Sequence, residues 1–145
     1  MTETTASTTA RPARPGAHRA YTVLLRVFLI DGVLQITFAG FGAFDLGGRK
    51  LAAKGNDAFA VHTMNGWLMA VLSLAILVVC LVAREGNRNV GLAVLLVVLT
   101  AGVQSALAAL GRDTPFFGAL HALDGMALLG LAGYLHGSAI RGARS

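Results

Sequence analysis

Four long apolar segments, separated by short polar stretches, dominate this sequence. They cover about residues 20–46, 58–83, 89–111 and 115–140, and the charged residues largely avoid them. A helix needs about 20 apolar residues to cross a hydrocarbon core of about 30 Å, so each segment is long enough to span a membrane. Lipid offers no partner to backbone N–H and C=O groups, so spans of this length must be helical. The sequence therefore predicts one all-α transmembrane domain over residues 20–140.

The composition excludes an ordinary soluble domain, because 55% of the residues are apolar and only 13% are charged. Residues 1–19 are rich in Thr, Ala, Arg and Pro and predict a disordered basic tail, and residues 141–145 predict a short basic tail. The net charge of +5 indicates membrane topology, not nucleic-acid binding. The partner that the composition predicts is the lipid bilayer.

The connections between the apolar segments are short, which predicts an up-down-up-down four-helix bundle. With the N-terminus inside, the inner side collects eight arginines and the outer side four cations. The positive-inside rule then predicts a multi-pass protein with both termini in the cytoplasm.

Two short stretches of the chain repeat each other. Residues 61–66 read Val-His-Thr-Met-Asn-Gly, and residues 120–125 read Leu-His-Ala-Leu-Asp-Gly. The apolar segment before each stretch carries one glutamine, Gln35 or Gln104. The chain is therefore predicted to consist of two two-helix repeats. Because each repeat crosses the membrane twice, both copies enter in the same direction, as parallel repeats.

Each repeat contributes one histidine, His62 or His121, at an equivalent position. Two equivalent histidines that face each other suit haem b, whose iron can take one neutral imidazole on each side. A zinc or copper site is less favoured because it requires three or four converging ligands. For a single histidine near a helix end, snorkelling to the membrane surface would be the simpler interpretation.

Other residues of the repeat could complete a haem site. Asn65 and Asp124 follow their histidines by three residues and could hydrogen-bond the outer ring nitrogens, as could Gln35 and Gln104. Gly66 and Gly125 could leave room for the macrocycle, although close helix packing explains these two glycines equally well.

The pattern of Gln35, His62, Asn65 and Gly66 resembles a group of small four-helix bacterial membrane proteins of unknown function. The pair His62 and His121 also resembles one four-helix half of haem A synthase, in which a histidine near the start of each even-numbered helix ligates haem. The chain differs from that family in having a single half and no acidic residue beside His62. The resemblances imply the bacterial cell (inner) membrane and haem ligation by these histidines.

A second polar cluster is predicted near the inner membrane surface. Placing Asp31 in hydrocarbon costs at least about 2.5–3.5 kcal/mol on insertion scales. We therefore expect its carboxylate to have a partner. His136, Arg26 or a basic residue of the turn at residues 84–88 could pair with it. A structural lock is favoured over a proton-handling role.

Three functions remain open from the sequence. The first is a haem b protein for electron transfer, haem handling or sensing. The second is a cofactor-free accessory or scaffold protein of the membrane. The third is an enzyme related to haem A synthase or to quinone-linked oxidoreductases.

Overall fold

The computed structural model describes residues 14–48 and 58–142. Within them the chain forms four helices and no strand: α1 (Pro15–Gly48), α2 (Ala60–Ala83), α3 (Asn87–Leu110) and α4 (Pro115–Gly142). All four are long and apolar enough to cross a membrane, which confirms the predicted all-helical class. The predicted tail up to residue 13, most of the first loop and residues 143–145 lie outside the described residues.

The first helix begins at Pro15, inside the segment predicted as a disordered tail. Proline is well suited to the first turn of a helix because its φ angle is already helical and its missing N–H would have no partner there. The early turns are also held by tertiary contact, since His18 Nδ1 lies 2.7 Å from Oε1 of Glu85 in the α2–α3 turn. That long-range contact could not be read from the local composition.

Helix α3 is not uniform, because residues Val98–Val103 form a π-helical segment immediately before Gln104. Thr100, within this segment, donates a 2.7 Å hydrogen bond to the carbonyl of Leu96. The turn before α3 needs two left-handed residues, Arg84 with φ 58° and Gly86 with φ 87°. Glycine adopts such a φ without steric cost, whereas Arg84 is the one non-glycine residue with positive φ among those described.

The helices form a closed ring in which α1 packs against α2 and α4, and α3 packs against the same two helices. Among the described residues, the backbones of the diagonal pairs α1–α3 and α2–α4 do not approach each other closely. The core side chains recur at intervals of three, four or seven along each helix, as one helix face requires. This core consists of Tyr21, Leu25, Phe28, Met69, Ile76, Cys80, Ala93, Leu96, Leu128, Ala132, Leu135 and Ala139.

Large apolar side chains also cover the outside of the bundle, where Ile30 and Val71 are each 65% exposed. A helix that is apolar on every side is typical of a membrane span, because lipid accepts the outer face. Along α1, His18 contacts Glu85 in the turn after α2, and the later residue Gln35 contacts the earlier residue His62. Likewise, Asn89 of α3 contacts Ser138, and the later residue Gln104 contacts the earlier residue His121.

Candidate functional site

The half-buried imidazoles of His62 and His121 meet near the N-terminal ends of α2 and α4. Their ring centroids are 6.0 Å apart and their planes cross at 65°. Because α2 and α4 lie on a diagonal of the ring, the two side chains reach across the bundle to touch. The structure thus brings together the two histidines that the sequence pairs.

Both imidazoles make the same hydrogen bond. His62 Nδ1 lies 3.1 Å from the backbone carbonyl of Gln35, and His121 Nδ1 lies 3.1 Å from the backbone carbonyl of Gln104. A carbonyl oxygen can only accept, so the hydrogen must be on Nδ1 in both rings. Each neutral imidazole then carries its lone pair on Nε2, the tautomer that a metal ligand needs.

These carbonyls take the orienting role that the sequence analysis expected of Asn65 and Asp124. Side chains on a helix lean towards its N-terminus, so the histidine at position i extends away from the residue at i+3. The carbonyls that reach Nδ1 come instead from the neighbouring helices α1 and α3. The contact between each glutamine and the Nδ1 atom of its histidine is therefore made by the backbone of the glutamine.

The two Nε2 atoms have few competing partners. His62 Nε2 lies 3.5 Å from Nε2 of Gln35, at the outer limit of a hydrogen bond. His121 Nε2 has no hydrogen-bond partner among residues 14–48 and 58–142. Phe59, which the sequence analysis missed, packs edge-on against His62 at 6.1 Å. Its position three residues before His62 was the available signal, because such residues share a helix face.

The side chain of Gln35 joins α1 to α2. Its Nε2 donates to the backbone carbonyl of His62 at 2.9 Å, and its Oε1 accepts from Nδ2 of Asn65 at 2.9 Å. In the other half of the chain, Oε1 of Gln104 and Oδ2 of Asp124 are both buried without a hydrogen-bond partner in the described chain. The two halves share the imidazole–carbonyl bond and differ in the side-chain network around it.

The two glycines beside the histidines admit the glutamine side chains. A Cβ at Gly66 would lie 3.3 Å from Nε2 of Gln35, and a Cβ at Gly125 would lie 3.2 Å from Nε2 of Gln104. In this structure the glycines therefore serve close packing, one of the two roles the sequence left open.

The donor set at this site consists of two imidazole nitrogens. Over residues 14–48 and 58–142, no group of three or more His, Cys, Asp or Glu side chains is arranged to hold a metal ion. Two imidazoles are too few for a protein-only zinc site, which takes four ligands. They are sufficient for haem, because the macrocycle itself supplies the other four nitrogens.

The predicted inner cluster of Asp31, His136 and Arg26 has a different pairing from the one expected. Arg26 Nε donates a 2.9 Å hydrogen bond to Nε2 of His136, whereas the neighbour of Asp31 is Asn65, whose Nδ2 lies 3.4 Å from the Asp31 backbone oxygen. Arg26 and Asp31 are five residues apart, so a helix turns them onto different faces. Oδ2 of Asp31 is buried with no hydrogen-bond partner in the described chain.

Comparisons of the chain with protein-family models, curated proteins and solved structures found no match. The resemblances to one half of haem A synthase and to small four-helix bacterial proteins stay predictions from the motif residues.

Proposed function

We propose that this chain is a membrane protein that binds haem b between His62 and His121 and uses it for electron transfer, haem handling or sensing. One observation carries the proposal: both imidazoles are held by an equivalent Nδ1–carbonyl bond, which leaves the lone pair of each ring on Nε2, where a ligand can use it. The 6.0 Å separation of the two ring centroids supports a ligand that both imidazoles share.

The proposed architecture is an up-down-up-down bundle of two parallel two-helix repeats. The order of the contacts between consecutive helices supports antiparallel neighbours. The matched bonds of His62 and His121 support the repeat. The arginine-rich turn between the repeats supports cytoplasmic termini under the positive-inside rule, and the bacterial inner membrane follows from the resemblance.

In this proposal each residue of the site has a distinct task. His62 and His121 hold the iron through Nε2, and the carbonyls of Gln35 and Gln104 fix the ring orientations. Gly66 and Gly125 add no side chain beside the histidines, while Asn65 orients Gln35. When bound, haem supplies one-electron chemistry at the iron.

The test is the visible absorption spectrum of the full chain purified in detergent, oxidised and after reduction with dithionite. We expect a sharp reduced α-band that His62→Ala and His121→Ala each abolish. His136→Ala is the matched control, because it removes a histidine from α4 that lies outside the site, and its spectrum should equal that of the wild type. A wild type that purifies without haem and takes up none on reconstitution would contradict the proposal.

The alternative is a cofactor-free scaffold or accessory protein of the membrane. It is favoured by the Gln35 network, which satisfies both ends of that amide within the protein and ties α1 to α2. In that case the histidines act as interhelical hydrogen-bond donors. His62→Ala would then lower the thermal stability of a protein that shows no haem spectrum.

A further inference from the structure

A polar cleft opens at the end of the bundle opposite the histidines. It lies where α3 begins and α4 ends, and it has a volume of about 480 Å³, within the usual range for a ligand site. Its lining is unusual for this apolar chain, because it combines two arginines with several neutral hydrogen-bonding groups. The lining includes Glu85, Arg88, Asn89, Tyr134, Ser138 and Arg141.

The guanidinium of Arg88 is held in place by two neighbours on α4. Its Nη2 donates a 3.2 Å hydrogen bond to Oγ of Ser138, and its Cζ lies 5.8 Å from the ring centroid of Tyr134. Ser138 in turn donates to Oδ1 of Asn89 at 3.4 Å. Such a stacked, hydrogen-bonded guanidinium is pre-organised, so little conformational entropy is lost when it binds an anion.

Arg141 brings the second positive charge to the cleft from the last turn of α4. Its Nη1 would lie 3.2 Å from a Cβ at Gly137, so the guanidinium lies back along the helix over a position without a side chain. The absence of a side chain at position 137 leaves room for the guanidinium of Arg141, which lines the cleft.

The positive charge of the cleft exceeds its negative charge, because two arginines and one carboxylate line it. In the described chain, neither Arg88 nor Arg141 forms a salt bridge with a carboxylate. The carboxylate of the cleft, Glu85, has its Oε1 at 2.7 Å from Nδ1 of His18. Two arginines and a hydroxyl around one cleft are complementary to a phosphate, whose oxygens accept bidentate guanidinium bonds.

We propose that this cleft binds the phosphate of an anionic phospholipid at the membrane surface. The ends of the four spans lie at the depth of the lipid headgroups, and basic pockets between transmembrane helices are suited to headgroup phosphates. Tyr134 is 46% exposed beside the cleft, and aromatic rings of this kind are favoured at the membrane–water interface. The proposal does not depend on haem binding, because the cleft and the histidines are at opposite ends of the bundle.

The test measures thermal unfolding of the full chain in detergent with increasing phosphatidylglycerol, phosphatidylcholine or inorganic phosphate. Phosphatidylglycerol should raise the unfolding midpoint, and the other two should leave it nearly unchanged. Arg88→Gln and Arg141→Gln should each weaken the apparent affinity for phosphatidylglycerol roughly tenfold, the loss expected for one charge-assisted bond. Arg84→Gln is the matched control, since Arg84 belongs to the adjacent turn but does not line the cleft, and its response should equal that of the wild type.

Native mass spectrometry provides a second measurement that does not depend on unfolding. Wild type and Arg84→Gln should retain phosphatidylglycerol over phosphatidylcholine, and Arg141→Gln, an exposed substitution at the helix end, should not. Equal retention of both lipids by the wild type would overturn the proposal, as would unchanged phosphatidylglycerol binding in both cleft variants. A midpoint shift produced by inorganic phosphate alone would assign the cleft to free phosphate and exclude the lipid.

Discussion

Asn65 donates a 2.9 Å hydrogen bond from Nδ2 to Oε1 of Gln35, and the second half of the chain has no counterpart of this bond. Asp124 and Gln104 occupy the matching positions in the sequence repeat, and an ionised carboxylate has no hydrogen to donate. Their buried oxygens accordingly have no hydrogen-bond partner among the described residues. The difference between one amide and one carboxyl group accounts for the side-chain donor that the second half lacks, which is an asymmetry between the two networks.

This asymmetry predicts opposite effects for a pair of exchanges. Asp124→Asn should stabilise the protein by about 1 kcal/mol, because an amide can donate to Gln104 as Asn65 does to Gln35. Asn65→Asp should destabilise it by about 1–3 kcal/mol, because Oε1 of Gln35 then loses its donor. Thermal unfolding of the full chain in detergent measures both changes. Stability changes of the same sign in both variants would show that the side-chain donor at these positions does not determine the difference.

The two glutamines should tolerate substitution unequally. Gln35→Met removes bonds to His62 and Asn65 and should cost about 1–3 kcal/mol. The Oε1 of Gln104 is buried and has no hydrogen-bond partner in the described chain. Gln104→Met removes this oxygen and should change stability by less than about 1.5 kcal/mol, the usual limit for a substitution of similar volume. Chemical or thermal unfolding of the two variants side by side is sufficient, and equal losses would contradict the prediction.

Asp31→Asn should raise the unfolding midpoint. Asp31 is 7% exposed, and its buried Oδ2 has no hydrogen-bond partner among the described residues, so the substitution replaces a buried carboxylate by a neutral amide, at a gain of about 1 kcal/mol. Asp113→Asn, in the exposed α3–α4 turn, is the control and should leave the midpoint unchanged. A lower midpoint for Asp31→Asn would indicate that the carboxylate has a stabilising partner.

Two glycines of α1 provide a matched test of packing near the loop. A Cβ at Gly42 would lie 2.8 Å from the backbone oxygen of Ala58 and 2.7 Å from the ring of Phe59, so Gly42→Ala should cost about 1–3 kcal/mol. Gly40→Ala meets nothing within 4 Å and should be neutral or stabilising by up to about 1 kcal/mol. Unfolding in detergent distinguishes them, and equal effects would mean that α1 and residues 58–59 do not pack this closely.

Much of the fold could be predicted from segment length and composition. The four apolar segments predicted four helices, and the structure confirms them because a span in lipid has no other way to satisfy its backbone. The start of α1 was predicted several residues too late, since Pro15 and the contact between His18 and Glu85 extend it. Composition indicates only the local conformational preference of a segment. It could not predict the contact between His18 and Glu85, because these residues are far apart in the chain.

The sequence by itself determined which residues share a helix face, and so it identified His62, His121, Gln35 and Gln104 as candidates for one site. Only the tertiary structure decided that backbone carbonyls hold the imidazoles, that Arg26 pairs with His136, and that Arg88 and Arg141 share a cleft. The physical reason is that the sequence shows helical periodicity but not the distances between helices. Helical periodicity places side chains on a face, but a hydrogen bond requires a fit within a few tenths of an ångström. That fit depends on how each helix is rotated against its neighbours, and packing alone sets it.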